Sequence, residues 1–384
     1  MTAWFDSRIE GLLRGHDSCN HAVMAHHEHI LKWYQGFQAY VETLEELRPY
    51  ANLIKPSAED AGNAAALRMI HARTALHTLY SIESETAVLA AINGYVRDVL
   101  GIPDPVREVP QQALGPLAAL RQQGYAMLPD IAPDTVTAMR DYFMDRPVYE
   151  HASNMTKPPL TLDEAQDSFN LAHFREADIL NCPHLLQIAT DPLRLGIAQE
   201  YLGTVPQIIT IAAWWSFAQA DEARAAQLFH LDLDDYRFFK FFIYLTDVDE
   251  EAGPHVFVPG THRQDTLVRV RRASNDPALF DAWMGTLRKS DEDVMNVFGI
   301  DPARIVGPAG TNFIAATRGI HKGLLPKSKN RLICQVAYGV APQRVEEHLP
   351  VLQSPETTPN VPADFLTPPM DYVMQLYLKA PGGP

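Results

Sequence analysis

Residues 228–262 read LFHLDLDDYRFFKFFIYLTDVDEEAGPHVFVPGTH. The apolar run Phe238 to Leu245 predicts a buried strand. The acidic stretch Asp247 to Gly253 predicts a turn, His255 to Val258 a second short strand, and Pro259-Gly260 another turn. Ahead of the long strand stand His230 and Asp232, two residues apart. Side chains on a strand alternate between faces, so on an extended segment both point to the same side. An imidazole nitrogen and a carboxylate oxygen aimed at one point make two legs of a metal site. His321, in the segment RGIHKGLLPKSKNR, is the candidate for the third.

Outward from this stretch, the segments Tyr125 to Leu128, Ile208 to Phe217, Gly307 to Ala316 and Arg331 to Val340 also read as strands. Several short strands of this kind predict a mainly β core with helices, a double-stranded β-helix or jelly roll. That barrel would let His230 and His321 meet from neighbouring strands. Alternation would carry Thr317, Gly319 and His321 to one face, and Arg331, Ile333 and Gln335 to another. Trp214 and Trp215 point to opposite faces, one toward a pocket or both into packing. Helices are expected before Gly124, over Thr135 to Phe143, and from Leu185 to Leu202 with Gly203 as its cap. Between Arg263 and Ile305 the pattern turns charged and helical, an insertion beside the substrate entrance or a solvated excursion.

Residues 1–105 form a separate helical extension ahead of a catalytic domain at 106–384. One apolar face is Ile30, Trp33, Tyr34, Phe37, Tyr40, Val41 and Leu44, and a second helical stretch runs from Ala64 to about Leu100. Amphipathic spacing implies packing on the core or a contact between two copies in a homodimer. His16, His21, His26, His27 and His29, with Cys19 nearby, open a second-metal reading against a polar helix face. The tail from 341 to 384, with seven prolines between Ala341 and Tyr372, reads as an extended arm over the surface.

Composition narrows the function. The net charge is −15 with 47 acidic against 32 basic residues, which argues against nucleic acid or an anionic membrane as partner. No apolar run reaches the roughly 18 residues of a membrane-spanning helix, and Met1 to Leu13 lacks a secretory core. Three scattered cysteines, Cys19, Cys182 and Cys334, suggest free thiols in a reducing cytoplasm.

The order of His230-x-Asp232, a strand, Gly253, the Pro259 to His262 block, His321 and Arg331 resembles the phytanoyl-CoA dioxygenase family, over about Gly124 to Gly339. The resemblance implies a non-haem Fe(II)/2-oxoglutarate dioxygenase that hydroxylates a small-molecule metabolite with O₂ and releases succinate and CO₂. Two imidazoles and one carboxylate suit Fe(II) and leave positions open for 2-oxoglutarate and O₂. The far carboxylate of 2-oxoglutarate needs a cation, and Arg331 fits because guanidinium stays charged when buried and pairs carboxylates in a fork. Thr317, Lys240 and Phe242 are further cofactor-side candidates. Lys240 would hold 2-oxoglutarate or a substrate anion, or pair structurally with Asp234, Asp235 or a helix end. His255 and His262 read as structural or substrate-facing. Desaturation, cyclisation or epoxidation by the same cofactors, or a jelly-roll binding protein without chemistry, are the alternatives. A carboxylate at Asp232 speaks for oxygen transfer over halogenation, since related iron halogenases leave that position small.

Overall fold

The computed structural model describes residues 28–45, 82–150, 158–218, 222–342 and 367–377. His16, Cys19, His21, His26 and His27 lie outside them, as does the side chain of His29, so the second-metal reading falls outside the described residues.

Among the described residues nine strands build the core: β1 (Tyr125–Met127), β2 (Leu171–His173), β3 (Gln207–Ser216), β4 (Phe238–Tyr244), β5 (His255–Phe257), β6 (Ala303–Ile305), β7 (Asn312–Ala315), β8 (His321–Gly323) and β9 (Arg331–Gly339). They form a six-stranded antiparallel sheet in the order β1-β7-β4-β9-β3-β2, and a three-stranded one in the order β6-β5-β8. The backbone of Phe229 and His230 extends the smaller sheet, because His230 pairs with His321 beside β8. The result is the jelly roll expected from the strand pattern, a mainly β core with helices around it.

Alternation sorts each central strand between two interiors. On β4 the outer residues Phe239, Phe241 and Ile243 join Leu332, Cys334 and Val336 of β9 in a core shared with the helices. The inner residues Phe242 and Tyr244 pack with Ile333, Phe313, Phe257 and Ile305 between the sheets. All nine residues of β9 are buried, which is why it reads as a continuous apolar run broken only by Arg331 and Gln335. The register sets Phe242 opposite both Gln335 and Phe313, and Trp214 opposite Ile333.

Five sequence expectations need correction. His230 and Asp232 do not sit on one strand: His230 is a single bridge residue and Asp232 lies in the loop after it. The amide of Asp232 still donates to the Thr317 carbonyl at 2.8 Å, so the segment stays extended by main-chain pairing with the 317–321 segment. That segment is a turn between β7 and β8, so Thr317 reaches no common face with His321 by alternation. The stretch 185–202 is two helices, Leu185–Ala189 and Pro192–Leu202, since Asp191 caps the second through its side chain and Pro192 starts it. The insertion holds helices Gln264–Ala273, Pro277–Met284 and Asp291–Phe298, but its end at 303–305 is strand β6. In the tail, residues 367–377 are no surface arm: helix Pro368–Met374 buries Met370, Tyr372, Val373 and Met374, and the Tyr377 hydroxyl accepts from the Ile211 amide at 3.0 Å.

The N-terminal helices Glu28–Glu42 and Ile82–Gly94 belong to the same apolar core as the large sheet. Trp33 and Phe37 stack at 5.3 Å, and both lie against Tyr95. Glu85 ties this layer to the barrel. It accepts from Arg318 in the 317–320 turn at 2.9 Å, from Arg237 before β4, and from Gln264 at 2.8 Å. Arg318 is 9% exposed and Glu85 10% at the side chain, so removing one partner strands a buried charge. Glu85→Ala is expected to lower unfolding stability by about 3–5 kcal/mol, measured by chemical denaturation. A loss under about 1 kcal/mol, the usual limit for an exposed pair, would mean the layer is held without this anchor.

Candidate functional site

His230 comes from the bridge beside β8, Asp232 from the following loop, and His321 from the start of β8. The pairing of His230 and His321 is made twice, each amide donating to the other's carbonyl at 2.9 Å. It sets the two rings 4.3 Å apart. The structure gathers one ligand atom from each of His230, Asp232 and His321 within 4.8 Å of one another. The Asp232 carboxylate oxygens lie 3.6 Å from His230 Nε2 and 3.4 Å from His321 Nε2.

The imidazoles are held by the backbone. His230 Nδ1 lies 2.8 Å from the Leu228 carbonyl and His321 Nδ1 2.9 Å from the Gly319 carbonyl. A carbonyl only accepts, so each Nδ1 carries the proton and each Nε2 turns a lone pair toward the common point. Burial, then the neighbouring His321, pushes the His230 imidazole down to about 3, and Arg288 adds a smaller push. A neutral ring is the form that binds a metal.

Lys240 projects from β4 into the same space. Its ammonium donates to Asp232 at 2.7 Å and pairs with Asp234 at 2.8 Å. Burial by itself would raise the Asp232 carboxyl, yet Lys240 first and His321 next hold it well below the usual carboxylate range. Lys240 in turn is held charged by the two aspartates against the opposing pull of burial. Of the two roles open to Lys240, the contacts here are the structural pairing, with Asp234 and also with Asp232. Asp235 is used elsewhere, accepting from the amides of Val340 and Ala341.

A cavity of about 470 Å³ opens over these residues. Phe242, Trp214, Gln335, Arg331, His255 and Arg288 are among the side chains in its wall. Phe242 stacks on Phe313 at 4.9 Å. Trp214 faces the cavity while Trp215 is in the outer core. His255 stacks on His321 at 5.4 Å behind the ligand group, and burial holds it neutral. Thr317 is buried and does not line the cavity; its carbonyl serves the Asp232 amide. His262 is away from it too, its Nε2 donating to the Arg121 carbonyl at 3.2 Å and its ring closing under Gly124.

Arg331 is 3% exposed at the base of the cavity. One terminal nitrogen donates to the Ser216 hydroxyl at 3.1 Å, and Nε and Nη1 have no partner among the described residues. A buried guanidinium without an anion is costly. Its room depends on Gly323, where a Cβ would stand 3.0 Å from Nη2. A metal fits the first group by donor type, and a ligand carboxylate fits the second by charge.

A jelly roll with two histidines and one aspartate converging in its mouth defines the class of non-haem iron oxygenases. Residues 120–295 match the family model described as phytanoyl-CoA dioxygenase (PhyH), and the family resemblance read from the motifs is shown over that span. Within this class the cofactors are iron and 2-oxoglutarate, and the chain is an enzyme of that type. His321 and Arg331 lie beyond the matched residues. No curated protein sequence matches the chain. Among solved structures, the epimerase SnoN in complex with Fe³⁺, α-ketoglutarate and nogalamycin RO is similar at 15% identity and a TM-score of 0.42, over 59% of this chain and 82% of that one. EctD from S. alaskensis with 2-oxoglutarate and 5-hydroxyectoine is similar at 15% identity and a TM-score of 0.41, over 61% and 78%. HygX from Streptomyces hygroscopicus with nickel and 2-oxoglutarate is similar at 14% identity and a TM-score of 0.40, over 63% and 90%.

The sequence reading missed the Leu228 and Gly319 carbonyls, Ser216, Gly323 and Arg288. None carries a motif, and only the Gly323 position had a signal, two residues past His321. The Lys240 contact makes a stability prediction. Lys240→Met leaves Asp232 buried without its counter-charge, and the metal-free protein should lose about 3–5 kcal/mol in denaturant unfolding. Added Mn(II), which restores a positive charge at Asp232, should raise the melting temperature of this variant more than that of the unaltered protein. An equal rise in both would separate Lys240 from the ligand group.

Proposed function

We propose that the chain hydroxylates a small-molecule metabolite, with 2-oxoglutarate oxidised and decarboxylated to succinate and CO₂ and the second oxygen atom of O₂ entering the substrate. The observation that carries this reading is the juxtaposition of His230, Asp232 and His321, within 4.8 Å of one another, with a buried, incompletely partnered Arg331 in the same cavity. His230 Nε2, His321 Nε2 and one Asp232 oxygen would hold Fe(II), and Arg331 would take the distal carboxylate of 2-oxoglutarate. Bound iron supplies the activation of O₂. The chain's own residues orient the imidazoles through Leu228 and Gly319, keep Asp232 ionised through Lys240, and exclude water from the inner face with Phe242, Phe313 and Tyr244. Phe242 lines the cofactor side of the cavity; Thr317 supports it only through its carbonyl.

Oxygen insertion is favoured over halide transfer because Asp232 occupies the position a halide would need. The functional test is succinate release together with product mass: an addition of one oxygen supports hydroxylation, and loss of two hydrogens or a chlorinated product overturns it. A reducing cytoplasm is supported by the buried free thiols Cys182 and Cys334. No helix among the described residues is long and apolar enough to cross a membrane. A homodimer through the N-terminal helices remains part of this reading, checked by light scattering.

Two predictions separate the roles. His230→Ala and His321→Ala should each remove most bound iron in elemental analysis while leaving the circular dichroism unchanged; Asp232→Ala should do so too, and Asp234→Ala should not. Near-normal iron in both histidine variants would sink the metal assignment. Arg331→Ala should weaken 2-oxoglutarate binding by about 2–5 kcal/mol, as for loss of one partner of a buried charge pair, with iron content kept. Unchanged affinity by calorimetry would reject the arginine's role.

A further inference from the structure

Besides its imidazoles, the cavity wall carries five charged side chains: Asp232, Asp234, Lys240, Arg331 and Arg288. Two carboxylates thus meet three cations, an excess of one positive charge. Fe(II) and a 2-oxoglutarate dianion cancel each other and leave that excess in place. Lys240 is consumed by its two aspartates at 2.7 and 2.8 Å. Arg331 sits at the closed end, where the co-substrate would bind. The surplus is therefore Arg288.

Arg288 stands in the loop between helices Pro277–Met284 and Asp291–Phe298 of the insertion, exposed at the mouth of the cavity. Its Nη1 donates to the Leu287 carbonyl at 3.1 Å, and no carboxylate among the described residues pairs with it. The next residue does not share its orientation. The Lys289 ammonium is buried, turned onto the carbonyls of Thr286 and Met284 and over the Trp283 ring. The loop is anchored there, since Lys289 also pairs with Phe229 next to His230 through its backbone. An anchored loop keeps Arg288 at the opening. The apolar part of the cavity wall is made by Leu171, Trp214, Leu231, Leu233 and Ile333.

We propose that the substrate is a carboxylic acid with an apolar body, its carboxylate gripped by Arg288 at the mouth and its body laid along the apolar wall toward His230 and His321. A guanidinium fork matches a carboxylate in two parallel hydrogen bonds. One excess positive charge matches a monoanion; a phosphate dianion would leave uncompensated negative charge beside Asp234. A neutral substrate would leave Arg288 unmatched in a chain whose net charge is −15. The inference rests on the iron and 2-oxoglutarate reading of the site, since it takes those two groups as the inner occupants.

The test uses the full chain loaded with Mn(II) and 2-oxoglutarate. The probes are 3-phenylpropanoate, 4-phenylbutanoate and hexanoate, each beside its methyl ester, and the readout is paramagnetic broadening of probe protons in NMR, which reports approach to the metal without turnover. At least one acid should be broadened at low probe concentration while its ester is not. Arg288→Gln should weaken that acid about tenfold, the lower end for a hydrogen bond between charged groups, and Arg288→Lys should recover part of the loss. Equal binding of acid and ester, no binding of any acid, or an unchanged Arg288→Gln would overturn the proposal. Water relaxation by Mn(II) and the affinity for 2-oxoglutarate are read on the same samples. If both are normal and acid selectivity is absent, only the carboxylate assignment falls; if the protein takes up neither, the underlying reading falls and the proposal with it.

Discussion

Everything at the site depends on two main-chain hydrogen bonds, those between His230 and His321. The residues are 91 apart in sequence (321 minus 230), and each amide reaches the other's carbonyl at 2.9 Å. An antiparallel pair of this kind sets side chains on one face within about 5 Å of each other. The rings therefore need no long side-chain reach to converge, only a barrel that brings the two backbones side by side. Asp232 completes the group through the next contact of the same pairing, its amide on the Thr317 carbonyl. The convergence of the three candidate ligands is in that sense a consequence of sheet closure.

The chemistry of the ligand group is then a matter of charge held in a buried place. An aspartate wholly out of water would favour its neutral form. Lys240 reverses that preference, and Asp234 shares the lysine so that the ammonium is not itself left in excess. The second buried cation, Arg331, has no such companion among the described residues, and its unmatched donors are what supports the proposal of an anionic ligand there. The two cations differ in kind: Lys240 is paired with two carboxylates, and Arg331 with a single neutral hydroxyl among the described residues. The compact ammonium sits between two carboxylates, while the planar fork is held by Ser216 and given room by Gly323.

The helical parts fix where this barrel can be reached. Glu85, from the N-terminal layer, holds Arg318 in the turn that leads into His321. The insertion between β5 and β6 hangs Arg288 over the opening and ties itself back to Phe229 through Lys289. A jelly roll accepts such additions because its strand ends are open loops, and loops on a rigid scaffold carry selectivity.

Much of this was legible in the chain itself. The apolar runs of β4 and β9, the His-x-Asp pair and the distal histidine and arginine are local signals, and each names its own chemistry. Helix boundaries at Gly124 and Gly203 were likewise readable, because a left-handed cap favours glycine. What could not be read was partnership across the fold. Lys240 had two aspartates and a ligand anion within reach of any extended-strand argument, and only the fold of the 230–234 loop, which sets Asp232 and Asp234 on its ammonium, decided between them. The docked helix at 368–374 was hidden by prolines, which tell that a chain leaves regular structure but not where it returns. Thr317 was misplaced because a turn, invisible to an alternation argument, intervenes between β7 and β8. Amino-acid types determined which groups could ligate, pair or pack; long-range backbone pairing decided which of them meet, since hydrogen bonding between distant segments leaves no spacing in the sequence to read.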